Sequence, residues 1–187
     1  MKRKSREPAD EKGGISLNYL IKKARQGDTD AFVELMERQK QSMYKVARSY
    51  LHREEDIADA MQETVLDCYE KLGQLKSDRY FSTWLIRILI NNCNDILRTG
   101  KKETPVERFQ EQGDTCRELF QCEFEELMNT MDEKYRVILM LYYGEGFKIR
   151  EIAQILDMDE STVKTRLARG RRQFAHLYQL EPAAERR

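Results

Sequence analysis

The sequence predicts an all-α chain made of two small helical domains joined by a flexible linker. Apolar residues recur at helical spacing along most of the chain, and the 187 residues include only three prolines and nine glycines. Residues 101–122 break this pattern, because Pro105 and Gly113 lie among mixed charges with few apolar residues. We therefore expect five segments: a disordered arm (1–14), a first domain (15–100), the linker (101–122), a second domain (123–180) and a frayed tail (181–187).

The first domain is predicted to contain four helices, at about 15–26, 29–50, 55–72 and 82–99. Gly27 and Asp28 end the first helix, Thr29 or Asp30 is expected to cap the second, and Ser82 to cap the fourth. The third helix has an apolar stripe that we expect to be buried, formed by Ile57, Met61, Val65, Cys68, Tyr69 and Leu72. Its other faces carry Asp59, Gln62 and Glu63, which in isolation would be an ordinary solvated surface.

The fourth helix combines cations, amides and an aromatic residue on one side. These residues are Trp84, Arg87, Asn91, Asn94 and Arg98. Such side chains can read unpaired bases through stacking and hydrogen bonds to base edges. The alternative is that Trp84 belongs to the core and the asparagines are simply solvated, and the helix taken by itself favours that alternative.

The second domain contains a predicted helix-turn-helix. A short apolar helix reaches Leu156, Asp157 takes the left-handed conformation usually given to a turn glycine, and Asp159 caps the next helix. That helix buries Val163, Leu167, Gly170, Phe174 and Leu177, and its opposite face carries Ser161, Thr162, Thr165, Ala168, Arg169 and Arg172, with Lys164, Arg166 and Arg171 on the flanks.

The order of side chains on this last helix favours DNA binding. Small hydroxyl residues come first and arginines follow, which suits a helix whose N-terminal turns meet base edges while later cations hold phosphates. The alternative is an amphipathic surface helix with a solvated basic face. Ala153, at the expected helix crossing, and Val163, which would lock the second helix, favour the helix-turn-helix.

Composition narrows the function. The 33 basic and 33 acidic residues cancel, although a free-standing DNA-binding protein usually has a basic excess, so we expect help from a partner. No apolar run approaches the roughly 20 residues of a membrane span, so we expect a cytoplasmic protein without direct membrane insertion. The four cysteines form no C-x-x-C pair and the two histidines are far apart in sequence, so no metal site or cofactor is expected.

Three motifs together resemble those of bacterial RNA polymerase sigma factors, most closely the small extracytoplasmic-function (ECF) subgroup. The first is FSTWLIRILIN at 81–91, continued by Asp95 and Arg98; the second is ADAMQET at 58–64; the third is TVKTRLARGR at 162–171. They occur in the order expected for sigma region 2 followed by sigma region 4. There is no room for the middle domain of larger sigma factors.

The resemblance implies roles for individual residues. Asp59, Gln62 and Glu63 would bind the clamp helices of the polymerase β′ subunit, and the second domain would contact the β flap. The fourth helix, with the loop 76–80 before it, would recognise and melt the −10 promoter element through Trp84, Arg87, Asn91, Asn94 and Arg98. The last helix would read the −35 element through Ser161, Thr162, Lys164, Thr165, Arg166, Arg169 and Arg172. An anti-sigma factor is a further expected partner.

Two other classes of function fit the sequence less well. An autonomous regulator would use the helix-turn-helix on an operator and residues 15–100 for sensing or dimerisation, which leaves the two first-domain motifs unexplained. An enzyme would need a nucleophile with a nearby base, a phosphate loop or metal-ligand spacing, and none of these is evident in the sequence. Because the two domains share no obvious contact surface and the linker is polar, we also expect them to move independently in the free protein unless a partner clamps them.

Overall fold

The computed structural model describes residues 16–100 and 127–180, and every regular element within these ranges is helical. The all-α prediction is therefore confirmed for this part of the chain. The predicted arm, linker and tail lie outside the described residues. The elements are α1 (Leu17–Arg25), α2 (Thr29–Tyr50), α3 (Glu54–Lys71), α4 (Phe81–Gly100), α5 (Glu133–Leu139), α6 (Ile149–Leu156) and α7 (Glu160–Leu180).

Local polar groups set where the first helices begin. The Ser16 side chain accepts a hydrogen bond from the Tyr19 amide at 3.3 Å, and the Asp28 carboxylate accepts one from the Ala31 amide at 3.0 Å. The expected cap at Thr29 or Asp30 is therefore wrong by one or two residues. Gly27 adopts a φ of 88°, which separates α1 from α2 without steric cost.

The four helices of the first domain enclose one apolar core, in which α2 packs against each of the other three. Leu35, Val46, Ile57, Leu85 and Leu89 are among its side chains with at most 1% exposure. Between α3 and α4 the chain makes two 3₁₀ turns, Leu72–Gln74 and Asp78–Tyr80. The second turn leads directly into α4 at Phe81, so Ser82 lies inside the helix and is not its cap.

The buried stripe of α3 differs from the predicted one. Ile57, Ala60, Thr64 and Cys68 are buried, whereas Met61 and Val65 are only half-buried and Tyr69 is 58% exposed. Thr64 is tolerated in the core because its hydroxyl donates to the Ala60 carbonyl at 2.6 Å. Small residues at these positions allow α3 to pack closely on α4.

The second domain is a helix-turn-helix supported by α5. Residues 127–130 are helical, and α5 continues as a π-helical turn over Met140–Gly144. Gly146, with a φ of 72°, then reverses the chain into α6. A Cβ atom added at Gly170 of α7 would lie 3.2 Å from the Tyr135 Cβ, so this glycine allows α7 to approach α5 closely.

The two domains share a contact surface, contrary to the expectation. The helix α4 packs against α6, and α2 packs against α5 and the π-helical turn. Arg136 is only 4% exposed, and its Nε donates to the Ser49 carbonyl of α2 at 2.8 Å. Glu145 accepts a hydrogen bond from Ser42 and lies 3.9 Å from the Lys45 ammonium group. The described arrangement is therefore closed, with the domains held together by polar and apolar contacts.

Candidate polymerase and promoter interfaces

The polar face of α3 is available to a protein partner. Asp59, Gln62 and Glu63 are all exposed, while the opposite side of the helix is fixed in the core by Ile57 and Thr64. The C-terminal part of α3 is joined to α4 by Asn92, whose amide donates to the Thr64 hydroxyl at 3.1 Å and to the Asp67 carboxylate at 3.2 Å. The face is thus a rigid surface whose side chains can change without disturbing the core.

Three of the five predicted −10 residues lie together on α4. Arg87, Asn91 and Asn94 are exposed and line one cleft of about 380 Å³ between α4 and the second domain. Asp157 and Arg166 contribute to its opposite wall. In the closed arrangement this face of α4 is therefore turned towards the helix-turn-helix.

The other two predicted −10 residues occupy different surroundings. Trp84 is half-buried, packs against the core and has its ring centroid 6.2 Å from that of Phe81. Arg98 is exposed near the end of α4 and forms an ion pair with Asp95. Trp84 thus packs the start of α4 onto the core while part of the residue remains exposed.

The loop before α4 presents polar and aromatic groups outward. Lys76, Arg79 and Tyr80 are exposed, and the Arg79 guanidinium lies 6.0 Å from the centre of the Tyr80 ring. Leu75 and Phe81, on either side of this segment, are buried. The loop is therefore anchored at both ends and displays cations beside an aromatic face, a combination suited to an unpaired strand.

The turn of the helix-turn-helix has the geometry that the sequence predicted. Asp157 has φ 51° and ψ 54°, and it is the one non-glycine residue with positive φ among the described residues. The Met158 amide donates to the Ala153 carbonyl at 3.0 Å, which closes the end of α6. The helix α7 then begins at Glu160, directly after Asp159.

Five of the seven predicted −35 residues of α7 fall on its solvent side. Ser161, Lys164, Thr165, Arg169 and Arg172 are exposed, whereas Val163, Leu167 and Gly170 are buried. The Thr165 hydroxyl donates to the Ser161 carbonyl at 2.9 Å, so in this rotamer it can only accept a hydrogen bond from a ligand.

Two further residues of α7 are half-buried and border the space between the domains. Arg166 lines the cleft that contains Asn91, and Thr162 lines a neighbouring cleft of about 670 Å³ that contains Arg87. The helix α7 therefore has an exposed basic face and, beside it, a half-buried side with Thr162 and Arg166 that is turned towards α4.

Sequence reasoning missed three residues that organise these surfaces. Asn92 joins α3 to α4, Arg136 joins the two domains, and Arg25 of α1 contacts the segment before α4. Each acts on a partner far away in sequence, so periodicity carried no signal for it. The pair of amides at Asn91 and Asn92 was the one available hint, because two adjacent residues must point to different sides of a helix.

The described residues offer no reactive thiol, no metal site and no membrane-spanning helix. Burial raises the pKa of both Cys68 and Cys93 to about 12, so these free thiols remain protonated near neutral pH. Among residues 16–100 and 127–180 no cluster of His, Cys, Asp and Glu could hold a metal ion. No helix in these same ranges is long and apolar enough to cross a membrane.

The helix-turn-helix beside a helical first domain defines a class of DNA-binding transcription proteins, and comparisons with known proteins identify the family. A Sigma-70 region 2 model matches residues 35–103, and a Sigma-70 region 4 model matches residues 123–174. The chain is 30% identical over 154 residues to the ECF RNA polymerase sigma factor SigM of Mycobacterium tuberculosis, across 81% of this chain and 79% of SigM. It is 30% identical over 175 residues to SigW of Bacillus subtilis, across 84% and 94% of the two chains.

A solved structure agrees with the fold. CnrH, in complex with the cytosolic domain of CnrY, superimposes with a TM-score of 0.68 at 24% identity, over 88% of this chain and 97% of CnrH. The chain belongs to the ECF family of RNA polymerase sigma factors. It is accordingly a transcription initiation factor that binds RNA polymerase core and directs it to promoters.

Proposed function

We propose that this sigma factor binds RNA polymerase and promoter DNA through three separate surfaces. The face of α3 with Asp59, Gln62 and Glu63 binds the β′ clamp helices of the polymerase. The helix α4 and the loop 76–80 recognise and open the −10 element. The helix α7 reads the −35 element as duplex DNA, and the second domain also contacts the β flap of the polymerase. The first domain spans 15–100 and the second spans 123–180, with the linker 101–122 between them.

The observation that carries this proposal is the division of α7 into two faces. Val163 and Leu167 fix one side of the helix in the domain, and Ser161, Thr165 and Arg169 project from the other side at intervals of about one turn. A helix held in this way by its partner α6 fits the major groove with its N-terminal residues at the base edges. Among the seven predicted contacts, we assign base reading to Arg169 and phosphate contact to Lys164, which lies to the side of the exposed face.

Binding to the −10 element requires the closed arrangement to open. Arg87, Asn91 and Asn94 face the second domain across the cleft, and a strand of DNA cannot lie along them while α6 and α7 remain there. The exposed part of Trp84 contacts the DNA strand at the start of α4, and Arg98 contacts the DNA backbone at the end of the helix. Polymerase binding supplies the free energy that separates the domains and exposes this face.

We further propose regulation by an anti-sigma factor. CnrH was solved with CnrY, and RpoE from Bartonella quintana, which superimposes with a TM-score of 0.67 at 20% identity, was solved with the anti-sigma factor NepR. An anti-sigma factor would act here by holding the domains closed. The protein itself works in the cytoplasm without a cofactor and without catalytic activity of its own.

Two substitutions in α7 test the proposed readout. Holoenzyme is bound to a DNA library randomised only in the −35 element, at several salt concentrations. We expect Arg169→Ala to lose about 1–3 kcal/mol on the preferred site and to relax specificity at one position. Lys164→Ala should weaken all sequences about equally and lower the salt slope by about one. If both variants keep the wild-type preference and salt slope, α7 does not lie in the major groove.

A further inference from the structure

The guanidinium group of Arg25, at the end of α1, contacts the segment 72–80 at three points. Its Nε donates to the Leu72 carbonyl at 3.3 Å, and its Nη2 donates to the Leu75 carbonyl. Its Nη1 forms an ion pair with the Asp78 carboxylate at 3.0 Å. All three nitrogens of one side chain are thus engaged with the chain that connects α3 to α4.

Through one side chain, these contacts link two backbone carbonyls at the start of the segment to Asp78 in its second 3₁₀ turn. In the 3₁₀ turn that follows α3, the Leu72 carbonyl also accepts a hydrogen bond from the Leu75 amide at 3.2 Å, and the Leu75 carbonyl lies just beyond that turn. The Arg25 and Asp78 side chains are only 26% and 19% exposed, so the pair is better shielded from solvent than a surface ion pair. The planar guanidinium fork is suited to fixing several acceptors at once, which a lysine ammonium group cannot do in the same geometry.

The segment that Arg25 holds carries the exposed groups of the loop before α4. Lys76 follows Leu75 directly, and Arg79 and Tyr80 follow Asp78 directly. The positions of the Leu75 carbonyl and of Asp78 therefore set where these three exposed side chains point. Leu72 and Leu75 are buried, but no side chain of residues 76–80 is. Stretches with few buried contacts open easily, so the anchor that Arg25 provides at Asp78 has a large effect on how residues 76–80 are arranged.

We propose that Arg25 is a positioning residue for recognition of the −10 element. It contacts no DNA itself but holds the loop 76–80 in the conformation that presents Lys76, Arg79 and Tyr80 to the unpaired strand. The proposal rests on the function proposed above for this loop. It adds a residue of α1, outside the three surfaces, to the determinants of promoter specificity.

The test compares holoenzymes containing the wild-type protein, Arg25→Met, Arg25→Lys and the control Lys23→Met on a library randomised only in the −10 element. Lys23 is another cation in the last turn of α1, and its ammonium group lies 5.9 Å from the centre of the Tyr19 ring, one turn back along the helix. Misplacing a reading group by about 1 Å can cost on the order of 100-fold. We therefore expect Arg25→Met to lower −10 discrimination by about 10- to 100-fold, Arg25→Lys to be intermediate and Lys23→Met to match wild type.

Three further measurements separate positioning from general stability. Core affinity and −35 preference should be unchanged in Arg25→Met, and hydrogen exchange should accelerate in the amides of 72–80 but not in α2. If Arg25→Met loses helical content, Asp78→Asn takes its place, because it removes the charge of one loop partner and leaves α1 intact. A variant with accelerated exchange at 72–80 and wild-type −10 preference overturns the proposal.

Two loop variants distinguish this failure from failure of the proposed function. Arg79→Ala and Tyr80→Ala are assayed on the same library. If they lose −10 discrimination while Arg25→Met keeps it, the loop reads DNA and only the role of Arg25 is wrong. If they also keep wild-type discrimination, the loop does not read the −10 element, and the proposed function of this loop fails together with the inference.

Discussion

Replacing Arg136 by methionine should loosen the contact between the two domains. Arg136 is 4% exposed, and its Nε caps the Ser49 carbonyl at 2.8 Å. Ser49 lies in the last turn of α2, where carbonyls have no partner further along the helix. The Nη1 atom also donates to the Asn129 carbonyl at 3.4 Å, so the side chain joins α2 of the first domain to two parts of the second.

The size of the effect follows from two opposing contributions. A hydrogen bond from a charged donor contributes about 1.5–3 kcal/mol, and its loss leaves a carbonyl of the interface without a partner. Against this, burial lowers the pKa of Arg136 from its usual value, which shows that the guanidinium is held at a desolvation cost that methionine removes. We expect a net shift of about 1–2 kcal/mol towards the open form, or roughly 5- to 30-fold in the closed-to-open ratio.

Distances between spin labels on the two domains would measure this shift. The labels are attached to cysteines that replace two exposed residues, Val33 of α2 and Tyr178 of α7. Cys116 and Cys122 are changed to serine so that they do not react with the label. Cys68 and Cys93 are buried with a thiol pKa raised to about 12, so they should resist labelling. The control is Lys40→Met, which removes an exposed cation of α2 that lies 3.6 Å from Glu37. Identical distance distributions in wild type and Arg136→Met would refute the role given to Arg136.

Four other substitutions test three separate parts of the account. Asp59→Ala and Gln62→Ala should each weaken binding to polymerase core. Because both side chains are exposed, each substitution should change the free energy of unfolding by no more than about 0.5 kcal/mol. Wild-type core affinity in both variants would remove these residues from the interface. Asn91→Ala should leave core binding intact but reduce open complex in permanganate footprints, with recovery on a pre-melted template. Asp157→Gly should raise the free energy of unfolding by up to about 1 kcal/mol, since Asp157 has positive φ; a lower melting temperature would mean that its side chain has a structural role.

Periodicity predicted the helices well because each has one apolar face fixed by the core. It placed Val163 and Leu167 correctly in the core, and the left-handed conformation of Asp157 followed from the need to turn between α6 and α7. It misjudged α3, where small Ala60 and Thr64 pack against α4 while the larger Tyr69 is exposed. Residue hydrophobicity alone does not show which of two neighbouring stripes has the close-packed partner.

The contacts between distant segments could not be predicted from the sequence. Arg25, Asn92 and Arg136 each look like surface residues in their own helices, and their roles depend on carbonyls or side chains that lie far away along the chain. The domain contact was missed for the same reason. The polar linker indicated freedom of movement, while the matching surfaces of α4 and α6 became visible only when both helices were placed in space.

Transcription from genomic DNA by purified polymerase core, with and without this protein, tests the central claim most directly. Sequencing of the transcript 5′ ends should reveal a set of starts that depends on the protein and shares paired elements near −10 and −35. The Arg169→Ala protein should use the same set with a weakened −35 preference, and Asn91→Ala should lose most starts while still binding core. The absence of any start that depends on the protein, despite binding to core, would contradict the account.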